Sequence, residues 1–428
     1  MLASKRTKSY VCIDLKSFYA SVECVDRGLD PFTENLVVAD PTRGSGTICL
    51  AITPAMKALG AKNRCRIFQI PNGIEYTMAT PRMARYMEVS AQINALYLRY
   101  VSAEDIHVYS IDECFIDATP YLKLYRMSAK AFAEMLRNKV TEETGITATA
   151  GIGPNLFLAK VALDVEAKKA ADGIGILDEE SYKREIWFHR PITDIWQVGP
   201  GIAHRLAKHG IHDMAGVCAA NPAWLKKEFG KNGEYLLDHA WGQEPCTIKQ
   251  IKEYRPAAHS ISNGQVLMRD YSFSEARTVL REMADASCLD LCSKGLSCGN
   301  VSVHVGYAQP YLTESGRWGM GSGGSTKLSE RTDSSHRIVK VALELFDKHT
   351  LNSEPIRRLT VALGALQPTK YDQPSLFSSE DDGKEADLAK ASIAVRDRFG
   401  KNALLRGTSL KQGATMRERN NQIGGHRA

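Results

Sequence analysis

Three acidic residues stand where a buried strand or a hairpin would present a carboxylate. Asp14 ends the short apolar run 10–13, and the pair Asp112 and Glu113 separates two apolar segments. If these strands are neighbours in one sheet, the three carboxylates meet at one point. Oxygen ligands without histidine or thiolate suit Mg²⁺, and two such ions can promote in-line displacement at phosphorus. A single acid of this kind is usually a turn or cap residue, so the prediction rests on the whole arrangement.

Other metal chemistry has little support in the sequence. The ten cysteines are scattered, and Cys288, Cys292 and Cys298 lack paired CxxC spacing, so we interpret them as reduced thiols in small apolar sites. The eleven histidines form no HExxH pattern. A bound metal is therefore expected on oxygen ligands.

No apolar run approaches the roughly 20 residues that span a bilayer, and Asp14 interrupts the apolar run after the basic N-terminus. We therefore expect no membrane segment and a cytoplasmic location. The net charge is +6, and from Gly400 onward six basic residues face one acid. Such an end fits a polyanion or a solvated tail about equally on charge alone.

At 428 residues the chain should form two to four domains, at roughly 150 residues each. Short apolar strands mixed with amphipathic helices up to about Gly175 predict an α+β sheet domain. Glycine-punctuated helices follow over 176–245. After Arg255 the pattern predicts a second small α+β domain with helices at 273–292 and 333–349, and a further helix from about Glu385 to Phe399 before the basic end. The stretch 367–384 is polar and rich in Pro, Ser and Asp, which is typical of an exposed linker.

Three motifs resemble those of the Y-family DNA polymerases, closest to the bacterial UmuC-like and DinB-like branch. The motifs are IDL-KSFYASVE at 13–23, YSIDECFID at 109–117, and GIGPN with LAKVA at 151–162. The resemblance implies an α+β multi-domain, right-hand polymerase with palm, small fingers, helical thumb and an α+β little finger. The implied domains are palm 1–26 and 83–175, fingers 27–82, thumb 176–245, little finger 255–366, and a linker with a basic tail 367–428.

The resemblance also implies roles for individual residues. Asp14, Asp112 and Glu113, with the Leu15 carbonyl, would hold two Mg²⁺ ions. The incoming dNTP would contact Ser17, Phe18, Tyr19, Lys57 and Lys160.

Tyr19 matches the family's steric gate, a ring that leaves no room for a ribose 2′-hydroxyl. Without the flanking motif it would be read as a tyrosine on a buried helix face, and Lys160 as an ordinary surface lysine. Where many family members have Tyr and Arg on the finger helix, this chain has Pro54 and Lys57, which removes a bidentate arginine contact to phosphate. Ile48 and Leu50 would lie on the strand above the nascent base pair.

The segment 198–202 contains Gly199 and Gly201 and fits a helix-hairpin-helix, whose backbone amides bind DNA phosphates without reading sequence. A simple helix-turn-helix connection is the alternative. Within the linker, Gln373, Leu376 and Phe377 resemble the short peptide by which bacterial polymerases dock on the sliding clamp.

These features together predict a monomeric, low-fidelity, template-directed polymerase for translesion synthesis, acting on primer-template DNA. Two other functions remain open from the sequence. A nucleotidyl cyclase also uses paired carboxylates on a palm-like sheet, and a DNA-binding accessory protein could keep the fold without activity.

Overall fold

The computed structural model describes residues 8–256, 259–312, 316–371 and 380–428, without the side chains of 380–383. The chain divides into two compact units, 1–254 and 255–428. Of the described helices, none combines the length and apolar character required to cross a membrane.

The first unit contains both sheets that surround the predicted site. Its strands are β1 (Tyr10–Leu15), β2 (Leu36–Val38), β3 (Ala51–Ile52), β4 (Thr77–Ala79), β5 (Ile106–Val108), β6 (Glu113–Asp117), β7 (Ala148–Gly153) and β8 (Ile174–Ile176). Its helices are α1 (Phe18–Asp26), α2 (Pro54–Ala58), α3 (Met83–Tyr97), α4 (Thr119–Tyr125), α5 (Ala129–Thr144), α6 (Leu156–Val161), α7 (Glu179–Ser181), α8 (Pro200–Ala207), α9 (Met214–Ala219), α10 (Pro222–Phe229), α11 (Lys231–Ala240) and α12 (Ile248–Glu253).

The larger sheet has the order β5-β6-β1-β7-β8, with β1 antiparallel to both neighbours. Because β1 is the central strand of this sheet, both of its faces are covered. Its residues are therefore continuously apolar, and Val11 and Cys12 have no exposed surface. In this register Asp14 lies directly opposite Glu113. The sheet therefore brings together the acids that the sequence separates by almost 100 positions.

Glycine lets helix α6 lie directly on this sheet. A β-carbon added at Gly151 would collide with the backbone of Ala159 and Leu163, and one at Gly153 would lie 2.6 Å from the Ala159 nitrogen. After Val161 the helix continues as a π-helical turn, Ala162–Ala167. The close approach fixes the height of α6 above β1, and so the position of Lys160.

The smaller sheet has the order β3-β2-β4, and α2 follows β3. The expected strand through Ile48 and Leu50 is shorter than predicted. Only Ala51–Ile52 form a strand, while Ile48 makes an isolated bridge to Arg66. Its side chain is 42% exposed, which agrees with a role at an open surface.

The second unit is a sheet of order β11-β10-β12-β9 with long helices packed against it. Its strands are β9 (Ile261–Tyr271), β10 (Leu296–Leu312), β11 (Trp318–Thr332), β12 (Ile356–Gly364), β13 (Gln367–Pro368), β14 (Gln422–Ile423) and β15 (His426–Arg427). Its helices are α13 (Phe273–Ser293), α14 (Ser335–His349), α15 (Glu380–Phe399) and α16 (Met416–Arg419).

The sequence pattern did not predict β11. Its Gly- and Ser-rich stretch buries no large side chain fully, because the strand lies at the edge of the sheet and pairs with β10 on one side. Backbone pairing, rather than an apolar alternation, makes it a strand.

The description of 367–428 as a linker with a basic tail needs correction. Gln367 and Pro368 pair with β10, and the helix predicted from about Glu385 already begins at Glu380 and ends at Phe399 as predicted. Beyond them, Arg406 forms an ion pair with Asp285 of α13 at 2.6 Å, and the amides of Thr415 and Met416 donate to Glu282. The partners lie far away in sequence, so composition could not reveal this packing.

Candidate active site

The three predicted acids lie at one end of β1 and β6. Asp14 and Glu113 face each other across the two strands, and Asp112 occupies the turn before β6. The turn is held by the Leu15 amide, which donates to the Asp112 carbonyl at 2.9 Å, and by the Ser110 hydroxyl, which donates to Asp112 Oδ1 at 2.6 Å. The structure thus brings the three carboxylates to one place.

Burial and the two neighbouring acids both raise the proton affinity of Asp14. Burial, followed by the charges of Asp112 and Glu113, raises the pKa of Asp14 to about 7. Carboxylates crowded in this way gain most from a divalent cation on oxygen ligands, so the donor set fits Mg²⁺. As the side chains stand, no group of three or more His, Cys, Asp or Glu residues in the described parts of the chain is arranged so that it could hold a metal ion. Glu113 is instead bonded to protein partners.

The raised pKa of Asp14 predicts an unusual stability profile. A carboxyl with a higher pKa in the folded state holds more protons when folded, so its contribution to stability falls as pH rises from about 4 to about 7. We expect Asp14→Asn to stabilise the metal-free protein by roughly 1–3 kcal/mol at pH 8 and hardly at all at pH 4. Thermal unfolding in EDTA at both pH values measures this, and a variant no more stable at pH 8 would contradict it.

Lys160 lies against the acids rather than in solvent. Its ammonium is 2.7 Å from Glu113 Oε1 and 3.1 Å from the Asp164 carboxylate. Burial alone would lower the pKa of Lys160, but the charges of Asp164, Cys12 and Glu113 raise it above the ordinary value. The lysine therefore stays cationic beside the carboxylates. Its side chain is only 9% exposed, so it is not an ordinary surface lysine.

The side chain of Ser17 does not cap helix α1. Its backbone is left-handed, with φ of 49°, and its side chain makes no cap hydrogen bond. Its hydroxyl instead accepts a hydrogen bond from Lys57 Nζ at 2.8 Å. Burial lowers the pKa of Lys57, although the charge of Asp14 opposes the shift. The ammonium of Lys57, on α2, thus lies beside the first turn of α1.

Tyr19 follows Phe18 on α1, and its ring stacks on Tyr86 with centroids 4.5 Å apart and planes 14° apart. Tyr86 is fully buried, and its hydroxyl donates to Glu23 at 2.7 Å. Glu23 also accepts from Arg82 at 2.9 Å. This network holds Tyr86 in place, so the ring of Tyr19 has a rigid support on one side.

Sequence reasoning missed this support. Glu23 lies on α1, Tyr86 lies on α3, and Arg82 directly precedes α3, so the partners are far apart in sequence. Glu23 is a charged residue with no exposed surface. Its position one turn after Tyr19 in the motif was the available signal. The partners of that buried charge could not be identified without the fold.

Helix α8 begins after Gly199, and Gly201 lies in its first turn. Gly199 has a φ of −80°, and the left-handed residue in this segment is Gln197. A β-carbon at either glycine would meet nothing within 4 Å, so both lie at an open surface. The clamp-like residues Gln373, Leu376 and Phe377 fall outside the described residues.

Comparison with known proteins agrees with this arrangement. The impB/mucB/samB family matches residues 13–164, and its C-terminal domain matches residues 258–376. The chain is 30% identical over 423 residues to UvrX of Bacillus subtilis, a protein named for UV-damage repair, with 98% of each chain covered. It is 32% identical to DNA polymerase IV 2 of the same organism, covering 98% of this chain and 99% of the relative.

A solved Y-family DNA polymerase chimera has the same fold, with a TM-score of 0.61 at 21% identity. The match covers 83% of this chain and 98% of the chimera. Full-length similarity to the two relatives, both family domains and the shared fold lead to one conclusion. The chain belongs to the Y-family of DNA polymerases, with the impB/mucB/samB catalytic domain followed by the C-terminal domain of that family.

Proposed function

We propose that this chain is a template-directed DNA polymerase for translesion synthesis, which transfers nucleotides from dNTPs to a primer 3′-hydroxyl. The observation that carries the proposal is the opposition of Asp14 and Glu113 on neighbouring strands, with Asp112 in the adjoining turn. Relatives named DNA polymerase IV and a relative named for UV-damage repair support the same activity.

Asp14, Asp112 and Glu113, with the carbonyl of Leu15, would hold two Mg²⁺ ions. When bound, these ions lower the barrier to attack by the primer hydroxyl and neutralise charge on the leaving pyrophosphate. The protein's own part is to hold the acids in place. The Ser110 and Leu15 hydrogen bonds do this for Asp112, and the β1–β6 pairing does it for the other two acids.

The triphosphate would lie beside the Lys57 ammonium and the backbone amides in the first turn of α1. Lys57 reaches Ser17 at the start of α1, whose first-turn amides receive no cap from that serine. A helix N-terminus of this kind suits an anion. Lys160 supplies a second compact charge from α6, and the ring of Tyr19 would face the sugar. Lys57 replaces the arginine fork of many relatives, which predicts weaker geometric selection of the phosphates.

Primer-template DNA would be bound through sequence-independent phosphate contacts, including the open backbone at Gly199 and Gly201. We further propose the palm, fingers, thumb and little-finger boundaries given above, docking on a sliding clamp through 373–377, a monomeric state and a cytoplasmic location. The named relatives do not favour the cyclase or the non-catalytic alternative.

The test is primer extension by the purified protein, with Mg²⁺ and single dNTPs on four templates that differ in the next base. We expect the incorporated nucleotide to follow the template and synthesis to continue past an abasic site. Binding of DNA without extension, even with a clamp added, would favour an accessory protein. Conversion of a nucleoside triphosphate to a cyclic product without DNA would favour a cyclase.

A further inference from the structure

Lys160 has two acidic partners, and they come from different elements. Glu113 begins strand β6, whereas Asp164 lies four residues beyond Lys160 in the π-helical turn after α6. The Lys160 ammonium is 2.7 Å from the Glu113 carboxylate and 3.1 Å from both oxygens of Asp164. The lysine side chain is only 9% exposed, so water cannot replace a lost partner easily.

The two partners differ in what else they are expected to do. Glu113 is proposed as a metal ligand, and a divalent cation there would repel Lys160. Asp164 carries no such role. It also forms an ion pair with Lys168 at 3.4 Å, and the side chain of Lys168 is 58% exposed. Asp164 can therefore remain bonded to Lys160 while Glu113 exchanges the lysine for a metal.

The backbone holds Asp164 at a defined distance from the acids. A β-carbon at Gly175 would collide with the Ala162 carbonyl, and one at Gly151 with Leu163. The π-helical turn that carries Asp164 is therefore pressed against strands β7 and β8. π-Helical turns inside α-helices are frequent at functional sites, where they place a side chain that a regular helix would misdirect.

We propose that Asp164 is a positioning residue that retains the Lys160 ammonium when Glu113 turns to a metal ion, so that metal and lysine do not compete for the same carboxylate. This inference rests on the proposed role of Glu113 as a ligand. Without Asp164, the buried lysine has Glu113 as its remaining partner at this distance and resists its release.

The loss of Asp164 should change the metal affinity of the protein even without nucleotide and DNA. We expect Asp164→Asn to weaken the binding of Mg²⁺ or Ca²⁺ roughly three- to tenfold. This is the effect expected if the Lys160–Glu113 bond becomes stronger in the metal-free protein and must be broken when the metal binds. Lys160→Met should bind these ions more tightly than the wild type, because it removes the competing cation. In the Lys160→Met background, Asp164→Asn should have little further effect.

The measurement is the rise in melting temperature of the purified full-length protein with increasing Mg²⁺ or Ca²⁺ alone, which requires no catalysis. Glu166→Gln is the matched control, since it removes an acid of the same π-helical turn whose lysine contact is 4.0 Å long. Asp164→Glu should bind metal like the wild type. If Asp164→Asn misfolds, Lys160→Met still tests the inference, which fails if that variant binds metal no more tightly than the wild type.

An unchanged metal affinity in Asp164→Asn would overturn the inference. So would an equal loss in the Lys160→Met background, since Asp164 would then act directly on the metal through its charge. Glu113→Gln separates this inference from the role on which it rests. If that variant binds metal like the wild type, the ligand assignment itself fails.

Discussion

Asp112→Asn is expected to fold and bind primer-template DNA like the wild type, yet to extend primers at least roughly a thousandfold more slowly. The substitution keeps the size of the side chain and can keep the hydrogen bond from Ser110. It removes one negative charge from the set that would hold the metals. A thousandfold corresponds to about 4 kcal/mol of lost transition-state stabilisation, the scale expected when charge at a reacting phosphoryl group is no longer neutralised.

The measurement is single-turnover incorporation of one dNTP at saturating Mg²⁺, with DNA affinity and melting temperature determined in parallel. Asp117→Asn is the matched control, because Asp117 ends the same strand β6 and its recorded ion pair is with Lys8 at 3.9 Å. It should retain near wild-type rates. If both variants lose activity equally, the effect comes from the strand, and the metal-ligand assignment of Asp112 is wrong.

The acids could be predicted from the sequence because their signal is local. An apolar run that ends in an acid indicates a strand tip, and the hairpin pattern places Asp112 and Glu113 at an apex. The same reasoning gave most helices of the second unit, where α13 and α14 have strong apolar periodicity. Local patterns of this kind need no knowledge of the partner.

Features that depend on distant partners were not accessible in that way. The ion pair between Lys160 and Glu113 requires α6 to pack on β1, and the resemblance to a family implied only a phosphate contact for this lysine. The folded C-terminal segment depends on Asp285 and Glu282 of α13, which supply partners for its arginine and amides. In both cases a basic side chain, Lys160 or Arg406, pairs with an acid that is distant in sequence, so the residues around it give no sign of the partner.

Tyr19→Ala is expected to reduce discrimination between dNTPs and rNTPs roughly 10- to 100-fold while leaving dNTP incorporation within about an order of magnitude of the wild type. The reason is steric. The ring of Tyr19 is backed by Tyr86, which is buried and bonded to Glu23, so the ring cannot retreat from a 2′-hydroxyl. Removal of the ring opens this volume without touching the carboxylates.

The measurement is the ratio of kcat/KM for a dNTP and the matching rNTP opposite one template base. Tyr19→Phe is the control, because it keeps the ring and its stacking on Tyr86 and should keep the discrimination. Tyr86→Ala tests the support itself: with its backing removed, the Tyr19 ring can yield, and discrimination should fall although Tyr19 is intact. Unchanged discrimination in Tyr19→Ala would show that another group excludes the ribose hydroxyl, whereas loss in Tyr86→Ala would show that exclusion depends on the rigidity of the ring as well as its size.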